Sequence, residues 1–362
     1  MVKRYLSLLL SSLLFAGMLT GCVPSPAVPT DSQTDSSDSS VNASSNGSTD
    51  SDADASASTQ VKYETPQEAL EASPHLVGLT DQKNSRLIVC DLAVEDWSND
   101  AAVVWEFKDP RARGGAGIKL RNNPLFGGDV VLFCGPEGAG IISYQTKEVL
   151  FFTSNVGVNP HSVELLPDGT FLVASTTDDR VSVFAAAKGL INPVQTLSYP
   201  NVHGILWDPE YQVVWMAGRT KLSAFSVSGG ADKPHLAPNS GMVYVTADWL
   251  HDLSPCYGDP TKLFVTCAKG IYIFDKETEK FSTSFPGSRY TDGRTSVPAM
   301  GNFADHVLTM IDTTSKETVY REWCTNVVTV IVPLDQYTFR KITRVGPDDA
   351  YYKVRVWNSD YQ

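Results

Sequence analysis

The 362-residue chain lacks the short motifs of the common catalytic classes. It contains no Cys-x-x-Cys, no His-Glu-x-x-His, no Gly-x-Ser-x-Gly and no phosphate-binding glycine loop, so thioredoxin-like, zinc-protease, serine-hydrolase and P-loop chemistry are set aside. Its six cysteines follow no metal or redox spacing. Helical periodicity is almost absent, and short apolar strands dominate instead. The sequence therefore predicts an all-β protein.

Positive charge is scarce. The chain carries 29 Lys and Arg against 41 Asp and Glu, which gives a formal net charge of −12. Such a surface repels the phosphates of nucleic acids and of anionic lipids, so we expect no nucleic-acid partner. Any basic site must be local.

The N-terminus predicts the cellular location. An uncharged apolar run follows Arg4 and extends to Leu19, too short to span a bilayer comfortably but typical of a secretory signal peptide. It ends in Leu19-Thr20-Gly21-Cys22, which resembles the bacterial lipobox. We therefore predict a lipoprotein signal over residues 1–21 and a lipid anchor on Cys22 that holds the protein at the outer face of the cell membrane. An ordinary secretion signal with a chance cysteine is the alternative.

Residues 22–60 are predicted to be a lipidated cysteine and a disordered tether. From residue 23 to residue 60 there is no aromatic residue, lysine or arginine, and such a segment buries too little apolar surface to fold. Residues 61–362 are sufficient for one large domain. A short helix is expected at its start, because Thr65 can cap, Pro66 suits the first helical position and Glu68 can complete a capping box.

One sequence pattern is repeated along this domain. His161, His203 and His251 each precede a short apolar strand, a turn rich in Pro, Asp or Gly, and a second apolar strand. The unit is a β-hairpin preceded by one polar residue. Tandem hairpins of this kind are typical of a β-propeller, whose inner strands face a common axis.

The repeat is present in six copies, which predicts a six-bladed β-propeller. The positions that align within the second strand of each copy are Leu79, Cys134, Ser175, Ala217, Cys267 and Ile311. The first copy has no inner strand of its own, whereas Ala350–Trp357 is a strand without a partner in the last copy. Because an open ring leaves exposed edges, we predict that this C-terminal strand becomes the inner strand of blade one.

The cysteines of the domain fit the same pattern. Cys134 and Cys267 align with Ser175 and Ala217, and this interchange of small residues indicates core positions. The sequence leaves open whether two of the remaining cysteines form a disulfide; these are Cys90, Cys256 and Cys324.

Several longer phrases carry a resemblance to a known family. They are Asn159-Pro-His-Ser-Val-Glu-Leu-Leu-Pro-Asp-Gly, His203-Gly-Ile-Leu-Trp-Asp, His251-Asp-Leu-Ser-Pro with Tyr257-Gly-Asp-Pro, and the closing Tyr352-Lys-Val-Arg-Val-Trp. In this order they resemble a bacterial family of exported propeller proteins known only as a domain of unknown function. The resemblance covers about residues 75–358. It implies a propeller and an extracytoplasmic location, and it implies no reaction.

The repeat also predicts a site. His161 and His203 stand 14 residues before the aligned positions in the second strands, and His251 stands 16 before its own, which follows a longer turn. These matching offsets place all three histidines at the start of three inner strands, hence at one end of the central channel. Lys119 in blade two, with Lys353 and Arg355 on the closing strand, is expected to add fixed cations there. This channel mouth is predicted to bind an anionic or polyhydroxylated ligand, such as a glycan fragment, without turnover.

Other interpretations remain open, and no catalytic residue is assigned. The three histidines can instead hold a divalent metal ion in a metal-dependent lyase. The propeller can serve as a scaffold for a protein partner. Each histidine can simply bond a neighbouring backbone group, and Lys353 and Arg355 can be edge residues whose stems pack on apolar surface. Four tryptophans are candidates for sugar stacking, although their strand patterns suggest that most are core: Trp105, Trp207, Trp215 and Trp249.

Overall fold

The computed structural model describes residues 63–291, 297–314 and 320–362, except for the side chain of Ala247. The predicted signal peptide, the lipidated Cys22 and the tether lie outside these residues. Within the described ranges, no helix is long and apolar enough to cross a membrane.

A short helix of seven residues, α1 (Pro66–Ala72), lies near the start of the described chain. The Thr65 hydroxyl accepts a hydrogen bond from the Glu68 amide at 3.1 Å, and the Glu68 carboxylate accepts one from the Glu64 amide at 2.7 Å. The first bond satisfies an amide that a helix N-terminus leaves without a partner, and the second ties the residue before the N-cap to the same turn. The predicted short helix is confirmed.

Antiparallel β-strands make up most of the rest. The first sheet contains β1 (Leu76–Asp81), β2 (Arg86–Asp91) and β3 (Val103–Phe107). The second contains β4 (Gly117–Asn123), β5 (Gly128–Gly135), β6 (Gly138–Ser143) and β7 (Val149–Thr153). The third contains β8 (Pro160–Leu165), β9 (Thr170–Ser175), β10 (Arg180–Ala185) and β11 (Gln195–Ser198).

Eleven further strands follow in chain order. One sheet contains β12 (Val202–Asp208), β13 (Val213–Ser228), β14 (His235–Pro255), β15 (Lys262–Cys267), β16 (Gly270–Asp275) and β17 (Lys280–Ser282). Another contains β18 (Ala299–Asn302), β19 (Leu308–Ile311), β20 (Val327–Pro333) and β21 (Phe339–Val345), and the chain then forms β22 (Tyr351–Val356). Short 3₁₀ turns lie between strands at Ser98–Asp100, Pro110–Ala112, Pro124–Phe126, Ala186–Lys188 and Ser288–Tyr290.

The strands form four sheets of four strands and one sheet of six. The six-stranded sheet arises because β13 and β14 are long, 16 and 21 residues, and each continues from one hairpin into the next. Register shifts interrupt the pairing of these two strands. The all-β prediction is confirmed, and the number of blades stays a prediction.

The last strand completes the first sheet, whose order is β22-β1-β2-β3. Val77 is opposite Val356, and Leu79 is opposite Val354. Gly78 lies between them, and a Cβ atom there would come within 2.4 Å of the Trp357 ring, so only glycine fits. The predicted pairing of the C-terminal strand with β1 is confirmed.

Six strands form a cycle of contacts, and we call them the inner strands. They are β4, β8, β12, the C-terminal part of β14, β18 and β22. Each inner strand contacts the next one, and β22 contacts β4. Side chains that are far apart in sequence therefore meet where these strands begin and where they end.

The space between sheets is filled by apolar side chains. Cys134 and Cys267 are buried there, as predicted, and Cys90, Cys256 and Cys324 are buried as well. The described cysteines form no disulfide with one another. Burial raises the pKa of Cys134 to about 12, so this thiol is an unreactive core group.

Candidate functional site

A cavity of about 870 Å³ opens where the inner strands begin, and His161, His203 and His251 all line it. The ring centroids of His161 and His203 are 4.7 Å apart, as are those of His203 and His251. The His161 and His251 centroids are separated by 6.3 Å. The structure thus brings the three predicted histidines together at one end of the inner strands.

The same type of turn holds two of the histidines. The Nδ1 atom of His161 lies 2.9 Å from the Asn159 carbonyl oxygen, and Nδ1 of His203 lies 2.9 Å from that of Asn201. Both asparagines have a left-handed backbone, with φ of 61° and 51°, which asparagine tolerates better than most residues. The repeated Asn-x-His sequence therefore builds one turn twice and orients both rings alike.

The third histidine has a different partner at each nitrogen. Nδ1 of His251 lies 3.1 Å from the Pro298 carbonyl oxygen, and the Tyr352 hydroxyl lies 3.3 Å from its Nε2. Tyr352 is on β22 and lines the cavity. Sequence reasoning missed it as a site residue, although it begins the closing phrase that carries the family resemblance.

These bonds determine which atoms the rings offer to a ligand. A carbonyl oxygen only accepts hydrogen bonds, so each Nδ1 carries the proton and each Nε2 keeps its lone pair. Tyr352 donates to Nε2 of His251, and no described residue donates to Nε2 of His161 or His203. The cavity therefore offers at least two unused hydrogen-bond acceptors side by side.

The imidazoles are neutral at physiological pH. Burial lowers the pKa of His161 to about 3, with a further contribution from His203, and burial lowers the pKa of His203 to about 4. Burial and the nearby charge of Lys353 hold the pKa of His251 well below its usual range. Neutral rings with protonated Nδ1 atoms preserve the acceptor character of Nε2.

Lys119 does not lie at the cavity. It is buried deeper along the inner strands, with Nζ 3.0 Å from Glu164 Oε2 and 2.6 Å from the Ile205 carbonyl oxygen. Arg121 binds the same carboxylate through two bonds of 2.8 and 2.9 Å. The expectation that Lys119 faces the channel mouth is wrong, because a buried ammonium must pair with an anion and Glu164 on β8 provides it.

Lys353 and Arg355 are also absent from the cavity lining. Asp252 binds both, at 3.1 Å from Lys353 Nζ and 2.6 Å from Arg355 Nη2, and Lys353 donates to the Pro298 carbonyl oxygen at 2.7 Å. The expectation that these two cations supply charge at the mouth is therefore wrong for the same physical reason. The sequence spacing placed them on the correct strand and gave no sign of their buried partner.

Two tryptophans form an aromatic rim around the cavity, Trp249 and Trp323. Their side chains are 53% and 48% exposed, whereas Trp105, Trp207 and Trp215 are buried core residues. The guanidinium of Arg219 lies 5.8 Å from the Trp249 ring, and that of Arg321 lies 5.3 Å from the Trp323 ring. Trp323 was missed by sequence reasoning because it stands in a connection, outside any strand pattern.

The C-terminal tail covers the opposite end of the inner strands. The Tyr361 hydroxyl donates to the Leu165 carbonyl oxygen at 2.6 Å, at the far end of β8, which carries His161 near its start. The Arg121 guanidinium lies 4.7 Å from the Tyr361 ring, and Lys276 donates to the Gln362 side chain at 3.0 Å. The cavity with the histidines is thus at the end that the tail leaves open.

The model of a family of unknown function (DUF6528) matches residues 77–315, which include all three histidines. The chain belongs to this family. A comparison with curated proteins finds no match for it.

Two solved structures are similar to this DUF6528 chain. One is a functionally unknown protein from Desulfotomaculum acetoxidans DSM 771, with 11% identity, a TM-score of 0.50, and coverage of 79% of this chain and 86% of that one. The other is dihydro-heme d1 dehydrogenase NirN in complex with DHE, with 15% identity, a TM-score of 0.43, and coverage of 75% of this chain. The DUF6528 chain spans 54% of that second chain. Identities this low bear on the fold alone.

The divalent-metal alternative gains no support from the geometry. In residues 63–291, 297–314 and 320–362, no three His, Cys, Asp or Glu side chains are placed to hold a metal ion. In addition, Asp252 and Glu164 each face two buried cations, so each of these clusters carries one positive charge in excess. An excess of positive charge near the histidines disfavours the binding of a further cation.

The lowered pKa values predict how the stability of the DUF6528 domain depends on pH. An unfolded histidine titrates near ~6.5, whereas His161 and His203 in the folded domain titrate at about 3 and about 4. Between these values the unfolded chain binds protons that the folded chain does not. The free energy of unfolding should therefore fall as pH is lowered from ~6.5 to ~4, by up to ~1.4 kcal/mol per pH unit for each histidine.

Urea unfolding at closely spaced pH values measures this slope. The His203→Asn variant should reduce it, because one of the titrating groups is gone. Glu164 affects stability at lower pH. Burial raises the pKa of its carboxyl group, but Arg121 and Lys119 outweigh burial and lower this pKa to about 2. The stabilisation that its charge provides is therefore lost only below pH ~4.5. A stability that is constant between pH 6.5 and 4 would show that the histidines are not held neutral.

Proposed function

We propose that this DUF6528 protein is an extracytoplasmic six-bladed β-propeller, lipid-anchored through Cys22, that binds an uncharged polyhydroxylated ligand, such as a sugar, without turnover. The observation that carries the proposal is the set of three neutral imidazoles around one cavity, each with Nδ1 tied to a main-chain carbonyl oxygen. This arrangement presents lone pairs to a ligand.

The strand contacts support the six-bladed architecture. The cycle of six inner strands gives one inner strand to each blade. In the six-stranded sheet, Val213–Gly218 pairs with β12, and residues from Arg219 onwards pair with β14, so the long strands β13 and β14 fuse two neighbouring blades. Radial sheets around an axis place one cavity at an end of that axis.

The chemistry of the cavity favours hydroxyl donors over an anion. Ligand hydroxyl groups can donate to Nε2 of His161 and His203, and buried acceptors gain most from such bonds. A carboxylate or sulfate oxygen carries no proton to donate and would face the same lone pairs. The cations expected to contact it, Lys119, Lys353 and Arg355, do not line the cavity and bind Glu164 and Asp252 instead.

Binding without turnover is supported by the protonation state of the histidines. A general acid or base works best with a pKa near the operating pH. His161 and His203 titrate several units below neutrality, so they are poor proton donors at pH 7 and weak bases. Their place in the cavity lining suits them to bind a ligand through hydrogen bonds.

The N-terminal segments support the proposed location. A lipid on Cys22 followed by a Ser- and Asp-rich tether would hold the binding domain away from the membrane. A sugar-binding pocket on such a tether would reach carbohydrate outside the cell.

Paired substitutions of the histidines test the proposal. In His161→Asn/His203→Asn, the amide nitrogen can replace Nδ1 and keep the main-chain bonds, but no atom remains at the position of Nε2. In His161→Gln/His203→Gln, the amide can present an oxygen near that position. We expect the Asn pair to weaken sugar binding by about tenfold, since two hydrogen bonds are lost, and the Gln pair to weaken it less.

Calorimetric titration of the full-length lipoprotein in detergent measures these affinities, and elemental analysis of the same samples reports bound metal. Equal affinities in wild type and the Asn pair would overturn the role of the imidazoles. Stoichiometric metal that is lost in the Asn pair would favour the metal-dependent lyase instead. If only the unfolding midpoint falls, the histidines are structural.

A further inference from the structure

We infer that the cavity takes a chain of linked uncharged sugars, with the histidines binding one unit and Trp249 and Trp323 stacking on others. This inference rests on the proposed function of the cavity and deepens it from a sugar to an oligosaccharide. It is drawn from the size of the cavity and from the two rim tryptophans.

The cavity is larger than one sugar requires. Its volume of about 870 Å³ is near the upper end of the ~300–1,000 Å³ typical of pockets for drug-sized ligands. A single hexose on the histidines would leave most of it to water. A ligand of several linked rings would fill it.

The exposure of the rim tryptophans needs an explanation. Tryptophan carries a large apolar surface, and the protein buries Trp105 and Trp215 completely within its sheets. Trp249 and Trp323 remain about half exposed, and both do so at the lining of the same cavity. Two exposed aromatic faces at one opening form a binding surface that stays incomplete without a ligand.

The Trp323 ring is held in place before any ligand arrives. Its Nε1 atom donates to the Gln82 side-chain oxygen at 3.1 Å. The Gln82 side-chain nitrogen in turn donates to the Gly115 carbonyl oxygen at 3.2 Å, and the Gln82 amide donates to the Ala350 carbonyl oxygen at 2.8 Å. Because the polar atom of the indole is already used, the ring offers its apolar face, and its fixed position reduces the entropy lost on binding.

Trp249 comes from another part of the fold. Its carbonyl oxygen accepts a hydrogen bond from the Ala268 amide at 2.9 Å, next to β15, and its ring has the Arg219 guanidinium beside it. Trp323, by contrast, stands beside Gln82, which follows β1. The two rings thus border the cavity from different parts of the fold, and an extended ligand is suited to touch the histidines and both rings. The apolar faces of linked sugar rings stack on aromatic side chains while their hydroxyl groups reach the imidazoles.

The test compares ligand length with tryptophan removal. The probes are cello-, manno-, xylo- and N-acetylchito-oligosaccharides, each from monomer to hexamer, with galacturonate oligomers as a charged comparison. In calorimetric titrations of the full-length lipoprotein, we expect affinity for one neutral series to rise at least about tenfold from monomer to hexamer. Trp249→Ala and Trp323→Ala should each weaken hexamer binding by about tenfold and leave monomer binding unchanged.

Tyr337→Ala is the matched control, because Tyr337 is 76% exposed and does not line the cavity. It should leave both affinities unchanged. Two outcomes would overturn this inference and leave the proposed function standing. The first is that the monomer binds and longer oligomers bind no more tightly. The second is that the tryptophan variants lose affinity for the monomer and for the hexamer equally. Tighter binding of the galacturonate series would overturn the assignment of an uncharged ligand. Failure of every sugar to bind the wild type would overturn both proposals, and the rim would then fit a protein partner better.

Discussion

A chain that ends before Ala350 is expected not to fold. This deletion removes β22, so β1 loses the partner that pairs Val77 with Val356 and Leu79 with Val354. It also removes Lys353 and Arg355, which leaves the Asp252 carboxylate buried without a cation. Each loss costs several kcal/mol, and together they match or exceed the ~5–15 kcal/mol that stabilises a whole domain.

Circular dichroism and thermal unfolding of the shortened chain measure this effect. We expect no cooperative transition. A chain that ends after Trp357 is the control, because it keeps β22 and lacks only the tail that contacts Arg121 and Lys276. This control should fold with a lower melting temperature. If the longer deletion also melted cooperatively, the pairing of the two ends of the chain would not be what stabilises the domain.

The second large effect is expected from Asp252→Asn. Asp252 is fully buried and binds both Lys353 and Arg355. Burial alone would raise the pKa of its carboxyl group, but the two cations outweigh burial and hold the pKa well below its usual range. Asparagine has nearly the same shape and no charge, so two buried cations would be left without an anion. We expect the free energy of unfolding to fall by ~3–5 kcal/mol.

An exposed ion pair provides the matched control. Asp348 pairs with Lys83 and its side chain is 84% exposed. Asp348→Asn should therefore cost less than ~1 kcal/mol, since water screens the pair. Urea unfolding of both variants at pH 7 gives the comparison. Equal losses would contradict the view that the Asp252 cluster is buried and structural.

The meeting of the three histidines could be predicted because it depends on local repetition. His161 and His203 stand 14 residues before the aligned position in the second strand of their copies, and His251 stands 16 residues before it. Strands of similar length keep this phase from one hairpin to the next. The pairing of the C-terminal strand with β1 could be predicted for a related reason. A first unit without an inner strand and a last strand without a partner leave one economical arrangement, and residues Tyr351–Val356 adopt it.

The identity of the cavity lining could not be predicted in the same way. The offsets place Lys119, Lys353 and Arg355 on inner strands, but their direction depends on Glu164 and Asp252, which come from different units of the repeat. Trp323 belongs to a connection that no periodic pattern describes. Its position depends on Gln82, more than two hundred residues earlier in the chain.

By itself, the sequence determined that this protein is all-β and which histidines face the same end of the inner strands. These properties follow from strand alternation, turn residues and the Asn-x-His turn, which act over a few residues. Only the tertiary structure decided that the cations are buried in ion pairs, that His161 and His203 keep the Nε2 lone pair available, and that Trp249 and Trp323 border the cavity. These properties depend on which side chains from distant strands come within hydrogen-bond distance, and burial makes such pairing a condition of stability.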